Sequence, residues 1–101
     1  MIVYNVTTKV DHSIADAWLR WLKEEHIPDL VATGCFTQAA ILQIIETDNT
    51  EGLTYAVQYH AQSMASYHRY IEQYADDMRK KVIDKWGNKF ISFRTVMQSV
   101  N

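Results

Sequence analysis

His26 and Asp29 have the residue types and the spacing of an acid–base or metal-binding pair. Residues three positions apart project from one turn of a helix, so the imidazole and the carboxylate could act there together. A histidine at a helix end can instead hold the turn that Pro28 imposes, with Asp29 capping the segment that follows. We favour this structural role, because short polar side chains near helix ends commonly bond to the local backbone.

Metal binding and nucleophilic catalysis find little further support. His68 and Glu72 are four residues apart on a predicted helix, but no second pair at ligand spacing accompanies them. Cys35 is the only cysteine, and its apolar neighbours favour an inert thiol in the core. The sequence has no Gly-x-Ser-x-Gly motif and no glycine-rich phosphate loop. We therefore predict no metal and no cofactor, and the catalytic residues stay unknown.

A third set of polar residues lies on predicted strands. Half-buried amides, imidazoles and guanidinium groups need partners, which could be each other, a second subunit or a small-molecule ligand with an acidic or carbonyl oxygen. Together with His26 they form the predicted ligand-binding set: Asn5, Gln38, Gln58, His60, Arg94 and His26.

Hydrophobic periodicity predicts the six elements that must position these side chains. Alternating patterns indicate strands over residues 2–10, 35–46, 53–61 and 90–100, and apolar stripes indicate helices over residues 13–26 and 63–86. Ser13 and Asp16 predict a capping box for the first helix, and Ser63 is the expected cap of the second. Between Pro28 and Gly34 the first helix is expected to kink or re-form.

The order β-α-β-β-α-β predicts a single ferredoxin-like α+β domain over residues 1–101. Its four-stranded antiparallel sheet would carry two helices on one face. We call the uncovered face the open face. It would carry Ser92, Arg94 and Val96 from the last strand and, from the other three, Val3, Asn5, Thr7, Gln38, Ala40, Leu42, Thr54, Ala56, Gln58 and His60. Apolar residues on that face, such as Leu42, would be wet in a monomer. We therefore predict a homodimer joined through the open faces, a dimeric α+β barrel.

The chain resembles a small bacterial family of domains of unknown function. The segments that carry this resemblance span most of the chain: Tyr4-Asn5-Val6, Trp18-x-x-Trp21, Glu25-His26-Ile27-Pro28-Asp29, Ala32-Thr33-Gly34-Cys35-Phe36, Thr54-Tyr55-Ala56-Val57-Gln58-Tyr59, Lys89-Phe90 and Phe93-Arg94-Thr95. The resemblance implies the ferredoxin-like, dimeric α+β barrel group and no established activity. Haem-degrading enzymes of similar architecture use an Asn on the first strand and a Trp and a His on the second helix. Asn5 fits, but Tyr67 and Asp77 stand at the other two places, which argues against haem degradation.

Composition excludes several classes of partner. A formal net charge of −2 lacks the positive charge of a nucleic-acid binder. The basic cluster Arg79, Lys80, Lys81 and Lys85 is interpreted as the solvated end of a helix. No apolar run approaches the roughly 20 residues that span a bilayer, and the N-terminus does not resemble a secretion signal. We expect a soluble, cytoplasmic protein without a membrane partner.

Two functional hypotheses follow. The first is a non-catalytic dimeric domain with a binding or structural role, in which Trp18 and Trp21 are core residues. The alternative is a small-molecule enzyme of the cofactor-independent monooxygenase or isomerase kind, using a cavity on the open face. A cavity above roughly 300 Å³ lined by Gln58 and Arg94 would favour the enzyme.

Overall fold

The computed structural model describes residues 1–100 and has an α+β fold built on one four-stranded sheet. The strands are β1 (Ile2–Asp11), β2 (Gln38–Ile44), β3 (Gly52–Ala61) and β4 (Phe90–Gln98). They lie in the order β2-β3-β1-β4, and every neighbouring pair is antiparallel. The α-helices are α1 (Ala15–Trp21), α2 (Ile27–Ala32), α3 (Met64–Gln73) and α4 (Ala75–Trp86). The predicted second helix is therefore divided into α3 and α4, whereas α2 lies beyond the predicted end of the first helix.

The first helix does not begin with the predicted capping box. Ile14 is its N-cap residue and supplies no side-chain hydrogen bond. The backbone N–H and the hydroxyl of Ser13 both donate to Asp11 Oδ1, at 2.9 and 2.7 Å. The carboxylate at the end of β1 thus holds Ser13 in a turn, so the prediction that Ser13 and Asp16 cap the helix was wrong.

A π-helical turn, Leu22–His26, joins α1 to α2. The N–H of Ile27 donates to the carbonyl of Leu22, five residues earlier. Pro28 explains the wider turn, because its ring lacks an N–H and would crowd the carbonyl four residues before it in a regular α-helix. The stretch ends at Gly34, whose φ of 78° favours glycine and whose N–H donates to Val31 at 3.0 Å. The predicted re-formation of the helix occurs, and its π turn lies just before Pro28.

The second helical stretch begins as predicted but is not continuous. Ser63 caps α3, with its hydroxyl accepting from the N–H of Ser66 at 3.2 Å. Tyr74 has a φ of −127°, outside the helical range, and separates α3 from α4. Ala75 and Met78 of α4 are both buried, so the break still lets the second short helix present an apolar side to the core.

Strand pairing fixes which residues face the helices. Tyr4 of β1 lies 5.5 and 5.6 Å from the rings of Tyr67 and Tyr70 on α3. Trp18 of α1 lies 5.5 Å from Tyr55 of β3, on the same side of the sheet. Helices from both stretches therefore cover one face. The open face is formed by the alternate residues Val3, Asn5, Thr7, Lys9, Gln38, Ala40, Leu42, Ile44, Thr54, Ala56, Gln58, His60, Ile91, Phe93, Thr95 and Met97.

One strand departs from the predicted faces. Thr95 pairs with Asn5, and Arg94 pairs with Val6. Ser92, Arg94 and Val96 consequently lie on the helix-covered side, and their predicted place on the open face was wrong.

None of the helices within residues 1–100 combines the length and the apolar character needed to cross a membrane.

Candidate functional site

A cavity of about 320 Å³ lies between the sheet and the helices. We call it the helix-side cavity. Its walls come from β1, β3 and β4 below and from both helical stretches above, and they are mainly aromatic and aliphatic. The lining residues include Tyr4, Trp18, Trp21, His26, Tyr59, Tyr70, Arg79, Val82 and Arg94. Its volume falls within the range of small-molecule sites.

Two guanidinium groups, those of Arg79 and Arg94, line this cavity. Arg94 lies on the edge strand β4 and donates from Nε to the hydroxyl of Tyr4, at 3.0 Å. Arg79 lies on α4, where its Nε is buried and has no hydrogen-bond partner within residues 1–100. No carboxylate lines the cavity, and neither arginine forms a salt bridge within the described part of the chain. The site therefore holds positive charge that the protein does not neutralise.

Buried phenols line the cavity, and a further, half-buried phenol lies near its cations. Burial raises the pKa of Tyr59 and Tyr70 well above the ordinary value for a phenol. Burial also raises the pKa of Tyr67, and the charges of Arg79 and Arg94 oppose that shift for both Tyr67 and Tyr70. The charges of Arg79, on α4, and Arg94, on β4, thus influence the pKa of the same two phenols. All three hydroxyl groups stay protonated at neutral pH and can donate hydrogen bonds.

His26 occupies the end of the π turn and contributes to the cavity wall. Its ring stacks on Trp21, with the centroids 4.7 Å apart and an interplanar angle of 21°. Burial lowers its pKa to about 4; Asp29 opposes this effect and Lys81 reinforces it. At neutral pH the imidazole is therefore uncharged.

The same imidazole borders a second, more open hollow. That hollow is lined by Trp21, His26 and the charged residues Glu25, Asp29, Lys81, Asp84 and Lys85. Lys81 and Asp29 face each other there at 4.0 Å, with both side chains largely exposed. The stacked rings of Trp21 and His26 thus separate the helix-side cavity from a charged outer surface.

The structure divides the predicted ligand-binding residues between the two faces of the sheet. His26 and Arg94 line the helix-side cavity, whereas Asn5, Gln38, Gln58 and His60 lie on the open face. On the open face, the side-chain nitrogen of Gln38 lies 2.9 Å from Nδ1 of His60. The predicted set therefore does not form one site within a single chain.

Asn5 has an unusual environment on the open face. It is buried, and its Nδ2 donates to the hydroxyl of Thr7 at 2.9 Å. Its Oδ1 is also buried but has no partner within residues 1–100. Buried acceptors are usually paired, so this oxygen is an unfilled hydrogen-bonding position.

Sequence reasoning missed several cavity residues. A cavity above roughly 300 Å³ lined by Gln58 and Arg94 is the criterion for the enzymatic alternative. The helix-side cavity exceeds that volume and includes Arg94, but it lacks Gln58 and lies on the other side of the sheet. Arg79 is half buried and lines the cavity, so its assignment to a solvated helix end was wrong. Its position four residues after Ala75 and three before Val82 could have placed it beside the buried stripe of α4.

Other candidate chemical groups remain apart from the cavity. His68 and Glu72 are both exposed on α3. Within residues 1–100, no group of three or more His, Cys, Asp or Glu side chains could hold a metal ion. Cys35 is buried, and its sulfur accepts from Nε of Arg69 at 3.3 Å.

Comparison with known proteins places the chain in a family and a fold group. The sequence model of a family described as Domain of unknown function (DUF4286) matches residues 1–100. A comparison with curated protein sequences gave no match.

Solved structures resemble the chain over nearly its whole length. One is a variant of SnoaB, a cofactor-independent oxygenase from Streptomyces nogalater, with a TM-score of 0.67 and 13% identity, covering 99% of this chain and 94% of that one. An ethyl tert-butyl ether D (EthD) family protein from Bacillus halodurans has a TM-score of 0.66 and 9% identity, covering 99% and 100%. A dimeric ferredoxin-like protein from an uncultured marine organism has a TM-score of 0.66 and 12% identity, covering 99% and 96%. At these identities the likeness concerns the fold alone.

Proposed function

We propose that this chain, which belongs to the DUF4286 family of domains of unknown function, is a homodimeric small-molecule-binding protein whose ligand lies in the helix-side cavity. The cavity of about 320 Å³ is the observation that carries the proposal. Ligand sites are typically concave and mostly apolar, with a few polar groups that orient the ligand. The aromatic walls provide the apolar surface here, while Arg79, Arg94 and His26 provide the polar groups.

The homodimer is proposed from the open face. Five large apolar residues on this face are exposed: Leu42, Ile44, Ile91, Phe93 and Met97. Exposed apolar patches of this kind mark interaction surfaces. A second copy would cover them and could also bring a donor to the unpaired Oδ1 of Asn5. Structural neighbours described as dimeric ferredoxin-like proteins support this arrangement.

A second candidate function is enzymatic, and the position of His26 in the same cavity wall as the two guanidinium groups favours it. In the helix-side cavity, His26 could accept a proton from a weakly acidic C–H of a ketone, and a guanidinium group would stabilise the enolate oxygen that forms. Protonation of the enolate at the same or another carbon would complete an exchange or isomerisation. A structural neighbour that is a cofactor-independent oxygenase lends this candidate some support.

Calorimetric titration tests the binding proposal. The probes are a naphthalene carboxylate and its primary amide, and we expect at least one of them to bind with about one molecule per chain. Val82→Phe adds a ring to the cavity wall and should weaken this binding at least about tenfold. Lys80→Phe adds the same ring at an exposed position of α4 and should leave binding unchanged. Circular dichroism confirms that both variants are folded.

Two results would contradict the binding proposal. If neither naphthalene compound binds the wild-type protein, or if Val82→Phe binds as well as Lys80→Phe, the cavity is not the ligand site.

The enzymatic candidate is tested separately by deuterium exchange at the α-carbon of β-tetralone. Exchange that is faster than in buffer and is lost in His26→Phe supports it, whereas exchange no faster than in buffer rejects it.

A further inference from the structure

The charge of the helix-side cavity identifies the class of ligand that it would take. Arg79 reaches the cavity from α4 and Arg94 reaches it from β4. Within residues 1–100, neither forms a salt bridge, and no carboxylate lines the cavity. Arg79 is half buried and its Nε is fully buried, whereas Arg94 is exposed overall. A guanidinium group near low-dielectric walls is usually paired with an anion, because uncompensated charge in such a place is costly, and this argument applies most strongly to Arg79.

The two cations line the same cavity, and both act on Tyr70, which also lines it. Both affect Tyr67 and Tyr70, where their charges oppose the rise in phenol pKa that burial causes. His26 adds no positive charge at neutral pH, since burial lowers its pKa to about 4. The excess charge of the cavity thus comes from Arg79 and Arg94, in a chain whose formal net charge is −2.

Hydrogen-bond donors remain available on both arginines. Arg94 uses Nε to bond Tyr4, at 3.0 Å, which fixes one side of its guanidinium group. Arg79 has a buried Nε without a partner in the described part of the chain. An acidic oxygen of a ligand could accept from these donors and neutralise the charge at the same time. A neutral ligand could satisfy only the hydrogen bonds.

We infer that the ligand is an aromatic molecule carrying an acidic oxygen, such as a carboxylate, which Arg79 and Arg94 bind while the aromatic walls enclose its ring system. This inference rests on the proposed function, because it concerns the same cavity. It adds a preference for anions that the volume and apolar walls alone do not require.

Comparison of a naphthalene carboxylate with its primary amide tests the inference by calorimetry at neutral pH. The two compounds have nearly the same shape and differ in charge. We expect the carboxylate to bind about tenfold to a hundredfold more tightly, as charge-assisted hydrogen bonds require. Arg79→Gln and Arg94→Gln should each reduce this preference and leave amide binding nearly unchanged. Lys80→Gln removes one positive charge from the exposed side of α4 and should preserve the preference.

The possible failures are distinguishable. If both compounds bind equally to the wild-type protein, the anion preference is wrong while the cavity remains a binding site. A carboxylate preference that survives in both arginine variants would also overturn the assignment to Arg79 and Arg94. If neither compound binds, the proposed function itself fails.

Discussion

Arg94 on the edge strand β4 donates a hydrogen bond to the buried phenol of Tyr4 on the central strand β1, with Nε and Oη 3.0 Å apart. Tyr4 also lies in an aromatic group with Phe36, Tyr67 and Tyr70, at centroid distances of 5.9, 5.5 and 5.6 Å. This hydrogen bond therefore links Arg94, one of the two cavity cations, to the aromatic core.

Tyr4→Phe should lower the free energy of unfolding by about 1 kcal/mol, because it removes the acceptor of this hydrogen bond and keeps the ring. Urea denaturation measures the effect. Tyr67→Phe is the matched control, since the Tyr67 hydroxyl makes no hydrogen bond within residues 1–100, and it should change stability less. Equal effects of the two substitutions would show that the Arg94 contact does not stabilise the fold.

His26 should make the protein less stable as the pH falls from about 7 to about 5. Its pKa is about 4 in the folded chain and 6.5 ordinarily, so the unfolded chain takes up the proton first. The stability that His26 contributes is complete above pH 6.5 and is lost progressively as the pH falls toward 4. The largest loss of stability from this histidine is about 1.4 kcal/mol for each unit by which its folded and unfolded pKa values differ.

Urea denaturation across this pH range measures the contribution of His26. His26→Phe keeps an aromatic ring beside Trp21 but cannot titrate, so its stability should depend less on pH. His68→Gln removes an exposed histidine and serves as the control. Asp29 and Lys81 are retained in both variants, so their influence is common to the comparison. An unchanged pH dependence in His26→Phe would contradict the shifted pKa.

The two tryptophans of the first helix should differ in their effect on stability. Trp18 is 3% exposed and packs on Tyr55, so Trp18→Ala should cost about 3–5 kcal/mol. Trp21 is half buried, and Trp21→Ala should cost less. Denaturation midpoints with an unchanged slope measure both values. A loss for Trp21→Ala as large as that for Trp18→Ala would show that Trp21 is a full core residue.

Leu42→Asp and Phe93→Asp should dissociate the proposed homodimer, because both place a carboxylate on the apolar open face. Light scattering of the wild type at micromolar concentration should give twice the chain mass of 11.8 kDa. Met64→Asp, at an exposed apolar position on α3, should leave that mass unchanged. A monomeric wild type, or open-face variants that remain dimeric, would contradict this interface.

The sequence predicted the four strands and the faces of three of them. Polar and apolar residues alternate clearly on β1 and β3, which makes the faces of these two strands readable from the sequence. Strand β4 is ambiguous, since Phe90 and Val96 have one parity and Ile91 and Phe93 have the other. Only its pairing with β1 decides between them, with Thr95 opposite Asn5. Pairing with the first strand therefore determines the face of each β4 residue, which the periodicity of β4 alone does not.

The cavity was harder to foresee. Arg79 is followed directly by Lys80 and Lys81, so it resembles part of a solvated basic run, yet the helical phase from Ala75 places it beside the core. The π turn that carries His26 depends on backbone hydrogen bonds near Pro28, which residue types indicate only as a kink. Only the folded chain brings Arg79 of α4 and Arg94 of β4 to one cavity.

Heteronuclear NMR during titration with the naphthalene carboxylate tests the central claim, that the ligand lies between the helices and the sheet. The ring of a ligand in the helix-side cavity should shift the indole N–H resonances of Trp18 and Trp21, which line it. The side-chain amide resonances of Gln38 and Gln58 on the open face should stay nearly unchanged. Shifts confined to the open-face amides, with the indole resonances unmoved, would contradict the claim and place the ligand on the opposite side of the sheet.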